Sequence, residues 1–307
     1  MLQYLIILLD DTSISYCHYE TLKKEPRLIS LSDLKEGIFF AMKENWMIQY
    51  VYPNFELPRE YKGVIESIDH SKIKPTADDA DVLVINKIEK VQMNIPVVLR
   101  IGKNDFFAHK KEVAEMLKDV LRLNVVLTDV ETFTDEDFDD YKNVLSFLSS
   151  EVEKLYVDGK SPQLNLLTDR MMLSQMNNCG AGDTTITLAP NGKFYVCPAF
   201  YYEDEANNIG DLEHGLDIKN KQLYKLAYAP ICRHCDAWQC KRCIWLNRKT
   251  TLEVNTPSHE QCVLAHLERN ASRELLQNIR KHGTFLPEQE EIKEIDYLDP
   301  FDIRDTW

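Results

Sequence analysis

Short apolar stretches alternate with amphipathic stretches through the first 170 residues of the chain. The apolar stretches are typical of buried β-strands, and they are LQYLIILL, MIQYVY, DVLVIN, IPVVLRI, RLNVVLTD and QLNLLTD. The stretches between them predict amphipathic helices, including LSDLKEGIFFAMKENW, PREYKGVIESI and DFFAHKKEVAEMLKDVL. Thr134 begins the capping sequence TDED, which predicts a further long helix that extends to about Tyr156.

Six apolar strands that alternate with helices predict a parallel sheet whose faces are covered by those helices. Such a sheet is either a partial barrel or an open doubly wound sheet, and the pattern does not distinguish the two. Asp10 and Asp11 end the first strand, where α/β folds place active sites. With no substrate to assign to them, we expect both to be solvated loop acids.

The pattern changes after residue 169. The segment TTITLAPNGKFYVCPAF alternates polar and apolar positions on both sides of Asn191 and Gly192, which predicts a β-hairpin. A loop-rich stretch with many cysteines follows. The next predicted element is a helix that Thr256 or Ser258 caps and Gly283 ends.

Composition and charge limit the partners that the chain is expected to have. The chain has 307 residues with a net charge of −14, and this negative charge argues against a nucleic-acid partner. The longest apolar run, Leu5 to Leu9, is too short to cross a membrane, and we find no secretory signal pattern. We therefore expect a cytoplasmic protein without a membrane partner. The acidic and aromatic tail, residues 284–307, fits a docking segment for a partner as well as a self-packed or disordered end.

Seven of the eight cysteines fall within 84 residues, and only Cys17 lies apart from them. The seven are Cys179, Cys197, Cys232, Cys235, Cys240, Cys243 and Cys262. Disulfides are not expected in a reducing compartment, so this clustering predicts metal ligands. Two kinds of site remain open, because tetrahedral zinc sites use the same C-x2-C spacing and iron–sulfur clusters are also held by cysteine thiolates.

The order of these cysteines resembles that of the SPASM domain, which follows the barrel of radical-SAM peptide-modifying enzymes. Twelve residues separate Cys179 from Gly192, and Gly192-x4-Cys197 completes the first group. The second group, from Cys232 to Cys243, is one residue shorter than the family pattern in each of two spacers. The segments PNGKFYVCPAF and NNIGDL also look like that family. The resemblance implies an α/β fold with a radical-SAM-like partial (β/α)6 barrel over residues 1–172. A SPASM domain with a β-hairpin, loops and a helix would follow over residues 173–283.

The same resemblance implies two auxiliary [4Fe–4S] clusters. One cluster would be bound completely by the four-cysteine set, which is Cys232, Cys235, Cys240 and Cys262. The other would be bound by the three-cysteine set, which is Cys179, Cys197 and Cys243. Its fourth position would be open, because MMLSQMNN lacks the further cysteine of the family, and a substrate thiolate could bind there. Four histidines are near enough in sequence to be spare ligands, but each is expected to lie at the surface or next to a ligand, and they are His214, His234, His259 and His266.

The CxxxCxxC motif that binds the cluster for S-adenosylmethionine (SAM) is missing from residues 1–170. The loop after the first strand, DTSISYCHYE, contains only Cys17, which fits a core thiol best, with a stray ligand or a relic of the motif as the alternatives. The chain is therefore not expected to bind SAM.

A SPASM domain on a barrel without that motif resembles the CXXX-repeat peptide maturases. The segment WLNRKTTLEVNTPSHEQCVLAHLERNASRELL looks like the C-terminal signature of that family. The resemblance implies the cluster-carrying subunit of a maturase for ribosomally synthesised peptides (RiPPs). It would form a heterodimer with a separate radical-SAM enzyme, in thioether-type modification of a Cys-rich CXXX-repeat precursor peptide. The alternative is a non-redox module, stabilised by zinc or a cluster, that binds the precursor or its leader peptide.

Overall fold

The computed structural model describes residues 2–14, 16, 26–91 and 93–302, which form ten strands and nine α-helices. The strands are β1 Tyr4–Leu8, β2 Met47–Val51, β3 His70–Lys74, β4 Val82–Ile85, β5 Met93–Ile101, β6 Val120–Leu127, β7 Thr185–Leu188, β8 Phe194–Tyr195, β9 Gly210–Asp211 and β10 Gly215–Leu216. The helices are α1 Leu31–Glu44, α2 Arg59–Ile65, α3 Lys103–Ala108, α4 Lys110–Met116, α5 Asp135–Val157, α6 Thr168–Met172, α7 Pro198–Glu203, α8 Ile244–Thr251 and α9 His259–Arg280.

The chain divides into two compact units, and each unit is built from two separate segments. Unit 1 comprises Met1–Ile85 and Cys179–Tyr228, and unit 2 comprises Asn86–Asn178 and Ala229–Trp307. The functional division at residues 172 and 283, expected from the sequence, stays a prediction.

The strands of unit 1 form a sheet in the order β4-β3-β2-β1-β7-β8. All neighbouring pairs are parallel except β7 and β8, which form the predicted hairpin. Gly192 has a φ of 74° in the hairpin turn, a conformation that favours glycine. A Cβ atom at Gly37 of α1 would clash with Leu188 Cδ2, so a larger residue there would force the Leu188 side chain of β7 to move.

Unit 2 is built around α5 and α9, which pack against each other, and around the parallel pair β5 and β6. Tyr141 of α5 is completely buried, and its ring lies close to three phenylalanine rings. These rings are Phe106, Phe107 and Phe133. Such an aromatic cluster buries a large apolar area and fixes α5 against the neighbouring α3.

Local capping interactions set the ends of α1 and the start of α5, and the sequence predicts the cap at Thr134. Ser30 caps α1 by accepting a hydrogen bond from the backbone N–H of Asp33, and Asn45 ends α1 in the left-handed conformation. Thr134 and Asp137 form a complete capping box at the start of α5.

Replacing Thr134 with alanine is expected to lower the free energy of unfolding by about 1 kcal/mol, because the cap of a 23-residue helix is lost. Chemical denaturation of the variant and the wild type measures this difference. Thr134→Ser keeps the hydroxyl and is the matched control, so equal losses in both variants would contradict the capping explanation.

The prediction of a sixth strand over QLNLLTD is wrong for most of this segment. Only Leu164 forms a bridge to β6, and Thr168–Met172 is helical. The side-chain amide of Asn165 takes the place of a peptide group, because it accepts from Val125 N at 2.8 Å and donates to Val125 O at 2.9 Å. Since a side chain completes this pairing, the backbone is free to turn into α6.

Two further elements differ from the sequence prediction. The strand β3 was not predicted, because HSKIK contains only one buried apolar residue, Ile73. The single helix predicted over DFFAHKKEVAEMLKDVL is two helices, α3 and α4, that meet at His109. His109 interrupts the helix because its φ of −113° lies outside the α-helical region.

The described part of the acidic tail, residues 284–302, packs on unit 2, which supports the self-packed alternative for this part. Ile292 and Asp299 are buried, and Asp299 Oδ2 lies 2.5 Å from His259 Nδ1 of α9. Arg280 donates hydrogen bonds to backbone carbonyls of this segment, including that of Leu286 at 2.8 Å. Among the described residues, no helix is both long and apolar enough to cross a membrane.

Candidate metal centre

All four members of the four-cysteine set line one cavity in unit 2, here called the cysteine cavity. The cavity contains about 350 Å³ of space that protein atoms do not occupy, part of which is open to solvent. Its other lining residues are Met176, Ile231, Arg242, Pro257, Gln261, Ala265, His266 and Pro300. Cys262 therefore lines the same cavity as cysteines about twenty or more residues earlier, and the role of the four as ligands of one cluster stays a prediction.

Local structure explains how these cysteines reach the cavity. Cys232 starts a short 3-10 turn that ends at His234. Cys240 closes a tight turn in which its N–H donates to the carbonyl of Ala237 at 3.0 Å. Cys262 lies in the first turn of α9, which Ser258 caps, as the sequence predicts. The positive end of the helix dipole lies at this turn and favours a thiolate there.

In the described part of the chain, two backbone N–H groups and one imidazole nitrogen lie within hydrogen-bond distance of these sulfurs. The backbone N–H of Ala237 donates to Cys235 Sγ, and that of Arg242 donates to Cys240 Sγ, both at 3.4 Å. His266 Nε2 is also 3.4 Å from Cys235 Sγ. A deprotonated sulfur can only accept hydrogen bonds, so these donors suit metal-bound thiolates.

Burial makes free thiolates unfavourable in the cysteine cavity. It raises the pKa of Cys232 to about 11, although Arg242 opposes this shift. Burial, together with neighbouring cysteines, raises the pKa of Cys240 and that of Cys262 much further. A bound cation or metal cluster provides the positive charge that deprotonates such thiols, so this donor set fits a thiolate-bound metal centre.

Positively charged side chains surround Asp236, which follows Cys235 in the chain. Arg269 is completely buried, and its guanidinium binds both carboxylate oxygens of Asp236, with Nη2 to Oδ2 at 2.6 Å. Arg170 donates to the Asp236 carbonyl at 2.6 Å, and its guanidinium lies 3.9 Å from the ring centre of Trp238. Arg269 and Arg170 both oppose the raised pKa of Cys235, so this side of the cavity favours negative charge.

Glu268 is a partly buried carboxyl group on α9, two residues after His266. It accepts hydrogen bonds from Tyr141 Oη at 2.7 Å and from Gln239 Nε2 at 3.3 Å. Burial raises the pKa of Glu268 from 4.5 to about 7, despite these two hydrogen bonds. In the folded protein, the Glu268 carboxyl group therefore keeps its proton at pH values at which the same group in the unfolded chain has already lost it.

This difference predicts a pH-dependent stability that Glu268→Gln removes. Since the pKa is raised in the folded state, stability falls as pH rises from about 4.5 to about 7. As the pH rises through this window, the free energy of unfolding of Glu268→Gln is expected to increase by about 3 kcal/mol relative to that of the wild type. Urea unfolding at several pH values measures the difference, and a difference that does not change with pH would contradict the explanation.

The three-cysteine set is divided between the two units, so its grouping stays a prediction. Cys179 is exposed and Cys197 is buried in unit 1, where Cys197 directly precedes α7. Cys243 belongs to unit 2 and precedes α8. Its backbone N–H donates to Gln261 Oε1 at 3.1 Å, and Gln261 Nε2 donates to Asn247 Oδ1 at 2.6 Å. These bonds fix the position of Cys243 near the start of α9.

The acids after β1 are buried, so the expectation of solvated loop acids is wrong. Asp11 accepts a hydrogen bond from Tyr201 Oη at 2.5 Å and one from the backbone N–H of Arg27 at 3.0 Å. Asp10 accepts from Thr12 Oγ1 at 2.6 Å. Folding buries them because α7 and the segment around Arg27 supply these partners. The prediction for Cys17 lies outside the described residues.

The other histidines near the cysteines have partners of their own or lie at the surface. His214 lies 2.9 Å from Asp211, His259 binds Asp299, and His234 is exposed. Within the described ranges, no group of three or more His, Cys, Asp or Glu residues is arranged as the ligands of a single metal ion.

Sequence reasoning missed the charged residues around the cavity. Arg269 lies in a stretch that predicts an ordinary amphipathic helix, and nothing in its spacing marks it as the inward-facing charge. Arg242 was also missed, although its place between Cys240 and Cys243 was a usable signal. Its φ of 46° is unusual for a residue with a side chain and turns the chain between these two cysteines.

No protein-family model matches the sequence, and no curated protein matches it. Solved structures with a similar fold include hexahistidine-tagged anSMEcpe with bound AdoMet, at 12% identity and a TM-score of 0.63, which covers 92% of this chain and 96% of that chain. Another is native anSMEcpe with bound AdoMet and the Cp18Cys peptide, at 11% identity and a TM-score of 0.63. This match covers 92% of this chain and 100% of that chain. At such low identity the likeness shows the fold alone. It confirms the radical-SAM-like α/β fold that the sequence predicts.

Proposed function

We propose that this chain is the iron–sulfur-cluster-carrying subunit of a RiPP maturase, with a separate radical-SAM enzyme as its partner. The complex would carry out thioether-type modification of a Cys-rich CXXX-repeat precursor peptide in the cytoplasm. One observation carries the proposal: the four-cysteine set lines a single cavity, although Cys262 is distant from the others in sequence. The order of the seven cysteines, which resembles a SPASM domain, supports the same reading.

The residues of the cysteine cavity fit an iron–sulfur cluster. Four thiols are the usual ligand set of one [4Fe–4S] cluster. Ligands of a polynuclear cluster bind different iron ions, so they need not converge on a single point as zinc ligands do. The odd number of seven ordered cysteines also fits one complete and one open cluster better than two tetrahedral zinc sites. We therefore propose two [4Fe–4S] clusters, with zinc as the alternative.

The chain's own residues would hold and insulate the group in the cysteine cavity. The N–H groups of Ala237 and Arg242 hold two of the sulfurs in place. Arg269 and Arg170 balance negative charge on the same side. Pro300 of the C-terminal segment adds an apolar side chain to the cavity wall. When bound, such clusters supply one-electron transfer and, at an iron without a protein ligand, a Lewis-acidic position for a thiolate.

The partner would supply the SAM chemistry. Residues 1–170 of this chain lack CxxxCxxC, so we assign no SAM site to it. The structurally similar anSMEcpe is solved with bound AdoMet. A heterodimer would combine an active radical-SAM barrel in the partner with the auxiliary clusters of this chain.

Co-expression with the radical-SAM enzyme and the precursor peptide tests this role. Mass spectrometry of the peptide is expected to show loss of hydrogen at cysteines only when the wild-type chain is present. The Cys179→Ala variant distinguishes a cluster-carrying subunit from a non-redox module that only binds the peptide. Such a module would still support modification of the peptide by the partner enzyme. Equal modification without this chain would contradict the proposal.

A further inference from the structure

We infer that His266 is a positioning residue that sets the reduction potential of the cluster in the cysteine cavity, by donating a hydrogen bond to the ligand Cys235. The inference rests on the proposed function, because it requires an iron–sulfur cluster at the four-cysteine set. It goes further by assigning a redox role to a side chain that is not itself a ligand.

The geometry places His266 beside the ligands. It follows Cys262 by four residues on α9, so both side chains lie on the same face of the helix and line the same cavity. The ring is 3% exposed, and its Nε2 is 3.4 Å from Cys235 Sγ. A cluster-bound thiolate has no proton, so the ring must be the donor in this contact.

The C-terminal segment holds the imidazole in this position. The ring of Tyr297 meets it edge-on, with 5.8 Å between ring centres and an interplanar angle of 63°. Asp299 fixes the same segment through His259, and Pro300 completes the cavity wall. The imidazole therefore lies between Cys235 and Tyr297.

Among the three N–H donors to these sulfurs, His266 is the one whose bond depends on a side chain. The bonds from Ala237 and Arg242 come from the backbone and persist in most variants. Reduction adds negative charge to the cluster and its sulfurs, so a hydrogen-bond donor stabilises the reduced form more than the oxidised form. Loss of the His266 donor should therefore make the cluster harder to reduce.

The test uses the full chain, purified without oxygen, with Cys179→Ala and Cys197→Ala so that only the cluster of the four-cysteine set remains. A redox titration, monitored by electron paramagnetic resonance, compares the protein that keeps His266 with the same protein carrying His266→Phe. We expect the equilibrium constant for reduction of the cluster to fall about tenfold in His266→Phe. For a one-electron couple, this change makes the reduction potential about 59 mV more negative. His266→Gln keeps an N–H donor and should restore part of the shift.

Two further variants make the result specific. Tyr297→Ala frees the imidazole and should give a smaller shift of the same sign. His282→Phe changes a half-exposed histidine that contacts Glu153 and should leave the potential unchanged. If His266→Phe does not retain iron, Tyr297→Ala decides the question, and an unchanged potential there overturns the inference.

The possible failures can be told apart. Wild-type protein without iron and sulfide would overturn the proposed function together with this inference. A cluster of unchanged potential in His266→Phe would overturn the inference alone.

Discussion

Replacing both Cys240 and Cys262 with alanine is expected to remove about half of the iron and sulfide from the anaerobically purified protein. Both side chains line the cysteine cavity, but they come from different stretches of chain. The double variant leaves only Cys232 and Cys235 there, which is too few to hold a four-iron cluster. Iron and sulfide assays measure the loss, and the remaining half belongs to the three-cysteine set.

The matched control is the double variant Cys179→Ala and Cys197→Ala. It should lose the other half of the iron and keep the cluster of the cysteine cavity. Full iron content in the Cys240→Ala and Cys262→Ala protein would show that the cavity is not a cluster site. Loss of all iron in both double variants would contradict the assignment of two separate ligand sets.

Asp236→Asn is expected to lower the free energy of unfolding by about 3 kcal/mol, because Asp236 is the counterion of a fully buried arginine. The change leaves the fully buried guanidinium of Arg269 without its negative partner, which it contacts through both carboxylate oxygens. Removing the carboxylate leaves the buried guanidinium with an uncompensated charge, although solvent screens part of this loss because the Asp236 side chain is 37% exposed. Denaturant unfolding of the variant and the wild type measures the loss.

The control is Glu115→Gln, which makes the same chemical change in an exposed pair. Glu115 binds Lys118 one turn away on the surface of unit 2, and such pairs contribute at most about 1 kcal/mol. Equal effects of the two variants would show that Arg269 does not depend on Asp236 for its charge balance. Asp236→Asn together with Arg269→Met should recover part of the stability, because both charges are then removed.

The parts of the fold that the sequence predicts correctly depend on local signals. The apolar run of β1 is buried along its length, so its residue types alone indicate a strand. Thr134 and Asp137 cap α5 within a few residues of each other, and the hairpin at Gly192 has its turn residues in the sequence. In each case, the interaction that fixes the element lies inside the segment that predicts it.

The parts that the sequence does not predict depend on distant partners. β3 is a polar segment that becomes a strand because β2 and β4 pair with it on both sides. The segment QLNLLTD leaves the sheet because the side chain of Asn165 pairs with Val125, forty residues earlier. Single-sequence patterns carry no information on such contacts.

The candidate site divides in the same way. The clustering of the cysteines predicts metal ligands, and the resemblance of their order to a SPASM domain predicts which four belong together, because few residue types bind metal. The charge balance by Arg269 was not predictable, because an arginine on an amphipathic helix is expected to face solvent. The contact between His266 and Cys235 joins two segments that only the fold brings together.

Metal and sulfide analysis of the full chain, purified without oxygen, shows whether the chain carries two iron–sulfur clusters. We expect a brown protein with about eight irons and about eight sulfides, in two [4Fe–4S] clusters, and with little zinc. A colourless protein that contains zinc and no sulfide would contradict this expectation.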